Sequence, residues 1–265
     1  MPVMSILGCR IFEDEIVHLI ENDSEVKEVL VVENEDCDGL IRKMAGVGIS
    51  HVVLPLEKIS EKLEGKGREG FILVVHMLEL ALHAVPENLK ETVYLNVKHL
   101  ALHSDGILLF YGLCGNVLRD LEKDLDGLGC PVRILKEENG EIVDDCIGAV
   151  LGGRGPYLET LKKCRGVGTF FLTPMWASNW REMMMVGGFC QDPEDIEMSK
   201  FVFESAGYKK LGKINTGLSY EKNFEEQVRE FSELFDFEIE VLDGTLELVR
   251  NCYVKAKEET LRALN

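Results

Sequence analysis

The chain's 265 residues carry 29 lysines and arginines against 47 aspartates and glutamates, a formal charge of −18, which argues against a general binder of nucleic acid or anionic membrane, since both are polyanions. With 46% hydrophobic residues spread evenly along it, the chain can bury one large core or two closely packed lobes. Eight cysteines are too sparse for a disulfide-stapled scaffold, Met1 to Ser5 shows no basic n-region or cleavage site, and no apolar stretch reaches the ~18 residues of a bilayer span, so a cytoplasmic protein with reduced thiols is expected.

The N-terminal third alternates strand and helix. Val3 to Gly8 reads as a strand closed by Cys9, Glu13 to Glu21 as an amphipathic helix on Ile16, Val17, Leu19 and Ile20, and Val26 to Val32 as a second strand. A charged loop, Glu33 to Asp38, leads to a helix over Gly39 to Val47, a short apolar run at His51 to Leu54, and a helix over Glu57 to Leu63 ended by Gly65 and Gly67. Phe71 to Leu78 is almost continuously apolar, as expected of a strand covered on both faces. Leu82-His83-Ala84-Val85-Pro86 then approaches a helix running to about Leu102, with proline suited to its first turn.

The run Gly106 to Gly112 is a short buried strand that breaks at Leu113-Cys114-Gly115-Asn116, just before a segment, Val117 to Leu128, that reads as a helix. Backbone N–H groups and a helix dipole meet at such a junction, and together they lower a cysteine pKa and favour the thiolate. Gly112 and Gly115 flank Cys114 and permit a tight turn that a purely packing cysteine does not require.

Further along, Pro131 to Leu135 reads as a strand, Glu141 to Asp145 as an extended approach, Cys146 to Leu151 as an apolar segment, and Pro156 to Lys163 as a helix. Thr169 to Leu172 is a strand stopped by Thr173-Pro174-Met175-Trp176. Helices follow at Trp180 to Val186, Pro193 to Ser205 and Phe224 to Leu234, then a strand at Phe237 to Leu242 and a closing helix from Leu246 to Leu264. This order predicts an α/β fold, a mostly parallel sheet with helices on both faces in the Rossmann manner. With no low-complexity linker and no fixed-period repeat, one domain over residues 1–265 is expected, with any lobe boundary near 152–175.

In such sheets ligands bind outside the carboxyl ends of the strands. Cys9, Cys114 and Cys146 each follow a strand-like or extended segment, and His83 lies in the loop after the strand preceding that of Cys114, so all four can converge on one rim. Three thiolates and an imidazole suit tetrahedral zinc, whereas three thiolates alone suit an iron–sulfur cluster with one iron open. Cys37, Cys130, Cys164, Cys190 and Cys252 read as small buried hydrophobes. Gly152-Gly153-Arg154-Gly155-Pro156 either punctuates the chain or cradles an anion at a helix start, with Arg154 supplying charge. Trp176 places aromatic surface where it can wall a pocket. Nucleotide binding is unsupported, because neither a P-loop nor GxGxxG is present.

The segments Leu82-His83-x-x-Pro86-x-x-Leu89, Tyr111-Gly112-Leu113-Cys114-Gly115-Asn116, Asp145-Cys146-Ile147 and Gly168-Thr169-Phe170-Phe171-Leu172-Thr173-Pro174-x-Trp176 resemble, in that order, the motifs of domain of unknown function family 1638. The resemblance also takes in Cys9, and its tyrosine-glycine-leucine-cysteine-glycine-asparagine block is the specific part. It implies a role, catalytic or accessory, in the corrinoid-dependent methyl metabolism of anaerobic microbes, with a corrinoid protein or methyltransferase as partner. Family members often carry histidine where this chain has Asp145, and glycine where it has Val117 and Met175.

The leading expectation is therefore a metal-dependent transferase acting on a small molecule, with zinc or an iron–sulfur cluster held by Cys9, His83, Cys114 and Cys146. Cys114 and Asp145 would be catalytic, Asp145 orienting a ligand or shuttling a proton, and Arg154 and Trp176 would contact a cofactor. Two other readings stand beside it. One is a non-catalytic module that binds a metal, corrinoid or partner methyltransferase, although no Asp-x-His-x-x-Gly corrinoid-ligand motif occurs. The other is a metal-free thiol enzyme with Cys114 as nucleophile and His83 as base.

Overall fold

The structure is a computed structural model that describes residues 2–64, 70–192 and 194–263, leaving out the side chain of Ala81. Its first layer follows from the apolar runs. Val3–Cys9 (β1), Val26–Val32 (β2), Val52–Leu54 (β3), Phe71–Leu78 (β4), Gly106–Phe110 (β5) and Val132–Ile134 (β6) form one sheet in the order β3-β2-β4-β1-β5-β6, every pair parallel. The central strands β4, β1 and β5 are buried along almost their whole length. Helices on both faces leave them no polar side, hence their nearly unbroken hydrophobic sequences, Ser5 and His76 apart.

The helices of this part are Glu13–Glu21 (α1), Asp38–Gly46 (α2), Ile59–Leu63 (α3), Pro86–Ala101 (α4), Leu121–Asp124 (α5), Cys146–Val150 (α6) and Arg154–Lys163 (α7). A second parallel sheet, ordered β7-β8-β9, comprises Gly168–Leu172 (β7), Tyr208–Asn215 (β8) and Glu238–Asp243 (β9). Interleaved with it are Pro174–Ser178 (α8), Trp180–Val186 (α9), Ile196–Ser205 (α10) and Phe224–Phe235 (α11), and Glu247–Arg262 (α12) then returns to the first sheet. No helix among the described residues is long and apolar enough to cross a membrane.

Two cores sandwich the first sheet. Met4, Ile6, Val31, Val75 and Leu108 pack with α1, α2 and α12 on one face, while Leu7, Leu30, Val74, Ile107 and Leu109 pack with α3, α4 and α5 on the other. The chain leaves β1 toward β2 on one side, but leaves β4 toward β5 on the opposite side. Right-handed crossovers then require helices on opposite faces, which separates the loops of these neighbouring strands and opens a crevice at their carboxyl ends. The second sheet has an aromatic core instead: Phe170 stacks on Phe231 with centroids 5.1 Å apart, and Phe203 meets Phe235 and Phe237 edge-on at 5.0 and 5.1 Å.

Two elements differ from the sequence expectation. β8 is the central strand of the second sheet although Tyr208-Lys209-Lys210-Leu211-Gly212-Lys213-Ile214-Asn215 lacks an apolar run. Only Leu211, Gly212 and Ile214 are fully buried there, and Lys210 and Lys213 meet Glu240 and Glu225. The expected helix over Val117 to Leu128 is a series of turns around the single helical turn α5. Its apolar spacing still serves burial, since Leu118, Leu121 and Leu125 all enter the core. Gly65, Gly67, Pro193 and Leu264, which bound expected helices, lie outside the described residues.

The first turn of α1 buries three consecutive acids, Glu13, Asp14 and Glu15. Lys43 of α2 answers two of them, with Nζ 3.0 Å from Glu13 Oε2 and 2.6 Å from Asp14 Oδ1, and also lies 2.7 Å from Glu221 Oε1. Burial alone would lower the Lys43 pKa, but the three carboxylates hold it above its ordinary value. Glu15 Oε2 has no hydrogen-bond partner among the described residues. Burial, and then the neighbouring Asp14 charge, push its pKa from 4.5 up to about 8. The folded protein therefore keeps this proton over a range where the unfolded chain has released it, and stability contributed by Glu15 falls as pH rises from 4.5 to about 8. Glu15→Gln removes that penalty. In urea titrations the variant should match the parent near pH 4 and become progressively the more stable of the two up to pH 8; equal stability at both ends would contradict an ionisation penalty at this position.

Candidate functional site

A cavity of about 280 Å³ occupies the crevice, lined by Cys9, His83, Cys114, Asp145, Cys146 and Trp176 together with Tyr111 and apolar side chains. Six of the seven residues singled out from the sequence thus meet in one place. Cys9 ends β1, where it pairs with Leu78 at the end of β4. His83 lies in the 3-10 turn Leu80–Ala84 that follows β4, exposed at the cavity rim.

Cys114 is delivered by a strained turn. Its φ of 44° is left-handed, as are those of Gly115 at 75° and Asn116 at 72°. For a residue with a Cβ that conformation costs about 1–2 kcal/mol, so the surroundings must enforce it. They do so through a second segment: the Leu113 N–H donates to the Val143 carbonyl at 2.8 Å and the Cys114 N–H to the Asp144 carbonyl at 3.1 Å. Gly112 allows this approach, because a Cβ there would lie 2.6 Å from the Val143 oxygen and 2.9 Å from the Asp145 nitrogen. The same contact brings up Asp145 and Cys146. Asp145 caps α6, its Oδ1 accepting from the Gly148 N–H at 2.7 Å, and Cys146 is the first residue of that helix. Trp176 comes from the second lobe on α8, whose cap Thr173 Oγ1 accepts from the Trp176 N–H at 3.2 Å. Its indole Nε1–H donates to Cys146 Sγ at 3.4 Å.

Burial dominates the electrostatics. It pushes the Cys9 thiol from 9.0 up to about 12 and the Cys114 thiol up to about 11, and drives Cys146 well above 9.0. Charge on Cys114 raises Cys9, and charge on either raises Cys146, so the three sense one another. No lysine or arginine is among the lining residues. The lowered Cys114 pKa expected from a helix dipole is thus corrected: no helix begins at residue 115, and desolvation outweighs the backbone hydrogen bond Cys114 receives. Burial raises Asp145 above the usual carboxylate value despite its capping bond, and lowers His83 below the usual imidazole value. As the side chains stand, no group of three or more histidine, cysteine, aspartate or glutamate residues among those described is placed to hold a metal ion.

Arg154 is the one expected residue that the fold keeps away. Its guanidinium pairs with Glu141 at 3.4 Å and Asp144 at 3.2 Å, and its N–H, at the start of α7, donates to Glu137 Oε1 at 2.8 Å. The anion position that the glycine-rich segment suggests is filled by the chain's own carboxylate. Conversely, Tyr111 and Glu79 line the cavity without having been singled out. Tyr111 reads in sequence as the end of an apolar strand, and its signal was that it opens the Tyr111 to Asn116 block, the specific part of the family resemblance.

The model of a family described as protein of unknown function DUF1638 matches residues 77–253, well over half of the chain, and the protein belongs to that family. The match includes His83, Cys114, Asp145, Cys146 and Trp176 and begins after Cys9. No curated protein and no solved structure matches the chain.

If the contact at Gly112 aligns the Cys114 and Cys146 segments, Gly112→Ala should separate them. We expect a loss of about 1–3 kcal/mol in denaturant unfolding, as for other overpacked sites, together with a clear drop in Cys114–Cys146 bridging by a short bifunctional thiol reagent mapped by mass spectrometry. Parent-like bridging in this variant would contradict the alignment.

Proposed function

We propose that this member of the DUF1638 family is an enzyme whose cavity at the β1–β4 crevice holds a thiophilic metal centre, zinc or an iron–sulfur cluster, on Cys9, Cys114 and Cys146. The observation that carries the reading is the withdrawal of three thiols into one cavity lined by no lysine or arginine. A nucleophilic cysteine needs a lowered pKa, usually from a cation or a helix terminus, whereas all three thiols here are raised. A metal cation supplies the missing charge and deprotonates a coordinating thiol outright. The donor set suits such a metal in kind, and side-chain rotation from the present positions is needed to bring the sulfurs onto one ion.

Each cysteine would bind as thiolate after releasing its proton. The Trp176 indole N–H, already on Cys146 Sγ, would hold that sulfur in orientation, as outer hydrogen bonds do for metal ligands. His83, neutral near pH 7 because its pKa is lowered, would complete the donor set or accept a proton at the rim. Asp145, whose carboxylate meets the backbone N–H groups of Gly148 and Ile147, would orient a ligand or move a proton. When bound, such a centre supplies an activated thiol, a Lewis acid or an electron carrier. Group transfer to or from sulfur, methyl transfer included, is the reaction class we assign to it, in a reducing cytoplasmic setting and with a corrinoid protein or methyltransferase as the partner.

Anaerobic purification with elemental analysis tests this. Zinc or iron should accompany the chain, and Cys9→Ala, Cys114→Ala and Cys146→Ala should each lower it at least about tenfold, no less than the loss of an outer-shell partner of a ligand costs in affinity. Once the metal is removed, alkylation at pH 8 should be slow at all three thiols, because a pKa of about 11 at Cys114 leaves only about one thiolate in a thousand at that pH. Metal content indifferent to all three substitutions, or one fast-reacting thiol in metal-free protein, would favour the metal-free thiol reading instead.

A further inference from the structure

Thiols aside, the formal charges that line the cavity are of one sign. Glu79 is exposed at the rim, Asp145 is half-buried in the wall, and no lysine or arginine joins them. Burial lowers His83 below the usual imidazole value, so it is neutral near pH 7. The excess continues outside the lining. Burial raises the Tyr111 phenol, and the charges of Cys9, Cys114, Asp36 and Glu79 raise it further, so Asp36 lies within electrostatic reach of the cavity wall. Burial raises the Asp36 carboxyl too, and Glu79, Glu182 and Glu35 add to this against Arg10. That guanidinium is already divided between Asp36 at 3.7 Å and Glu13 at 3.4 Å. A metal on the thiols does not cancel the excess, because a divalent ion or cluster core carries fewer positive charges than three thiolates carry negative ones. A cleft of one sign between apolar walls focuses its field and concentrates counter-ions.

The remaining lining sets the kind of cation that fits. Leu82, Pro86, Ile147 and Met183 are apolar, and half-buried Trp176 adds aromatic surface. Asp145 already receives the N–H groups of Gly148 and Ile147, and thiol sulfur is a weak acceptor. The N–H groups of a primary ammonium would go short of partners there. An alkylated onium centre holds its charge without donors and is attracted by carboxylate and aromatic neighbours alike. We propose that the thiol-lined cavity binds a small alkylated onium cation, with Glu79 and Asp145 as its countercharge and Trp176 and the apolar side chains around its alkyl groups. This rests on the cavity being the functional site and supplies its substrate class, but does not depend on which metal it holds.

Two probes of one tetrahedral shape, tetramethylammonium and tert-butanol, differ in charge, and the first has no lone pair with which to bind a metal. Both are titrated against the full chain by ligand-observed NMR, with metal content measured on the same sample. Tetramethylammonium should bind at least about tenfold more tightly, the combined scale of a cation–aromatic contact and a partly exposed ion pair. Glu79→Gln, a change at an exposed position, should weaken it about threefold without altering tert-butanol binding or metal content. Asp145→Asn, which keeps an oxygen to accept from Gly148, should weaken it by at least as much. Equal binding of the two probes, no binding of tetramethylammonium, or parent-like affinity in both variants would each overturn the assignment. Metal-free protein that still prefers the cation would leave this proposal standing while removing the metal centre; metal-bearing protein with no such preference would do the reverse.

Discussion

A thiolate taken out of water loses hydration worth several kcal/mol unless a positive charge replaces it. The fold withdraws three cysteines in this way, at the ends of two central strands' loops and at a helix start, and raises the pKa of each. Left alone they are neutral thiols, chemically quiet, in a cavity that also contains carboxylates. On the proposed reading a cation would make the arrangement reactive, and the left-handed turn at Cys114, the glycine beside it and the indole N–H directed at Cys146 shape the cavity it would enter.

Topology explains why the three meet at all. Because the crossovers from β1 and β4 run in opposite directions, the first sheet has a crevice between them. The second lobe closes it by contributing Trp176 from α8. Behind that helix lies the buried ionic knot: Lys43 Nζ reaches Met175 Sδ at 2.6 Å as well as Glu221, and Ser178 donates to Glu221 at 2.8 Å. The knot ties α2 of the first sheet to α8, so the helix carrying the cavity's aromatic wall is anchored by charges that water does not screen.

Much of this was readable from residue order. The nearly continuous hydrophobicity of Phe71 to Leu78 forces a strand covered on both sides, and the junction positions of Cys9 and Cys114 place them at the carboxyl edge of a parallel sheet, whereas Cys146 follows no strand of that sheet and is brought up by the backbone contacts of Leu113 and Cys114. What could not be read had local physical causes. Lys210 and Lys213 of β8 pair with Glu240 and Glu225, so charged residues interrupt its apolar positions and mask the strand pattern. Leu118, Leu121 and Leu125 are spaced as in a helix, but the left-handed backbone from Cys114 to Asn116 redirects the chain, and their burial is achieved by turns. Arg154 and Glu137 are separated enough in sequence that their contact is invisible, and so is the consequence that this turn binds its own carboxylate. The sign of the cysteine pKa shifts depends on cavity depth, which no spacing reports.

X-ray absorption at the zinc or iron edge of anaerobically purified protein measures the central relation directly. For zinc, a first shell of three sulfur atoms at about 2.3 Å that loses one in each single variant of Cys9, Cys114 and Cys146 is the expected result; for an iron–sulfur cluster it is a sulfur shell with iron–iron scattering that disappears in those variants. A shell of oxygen and nitrogen alone would contradict a centre built on these thiols.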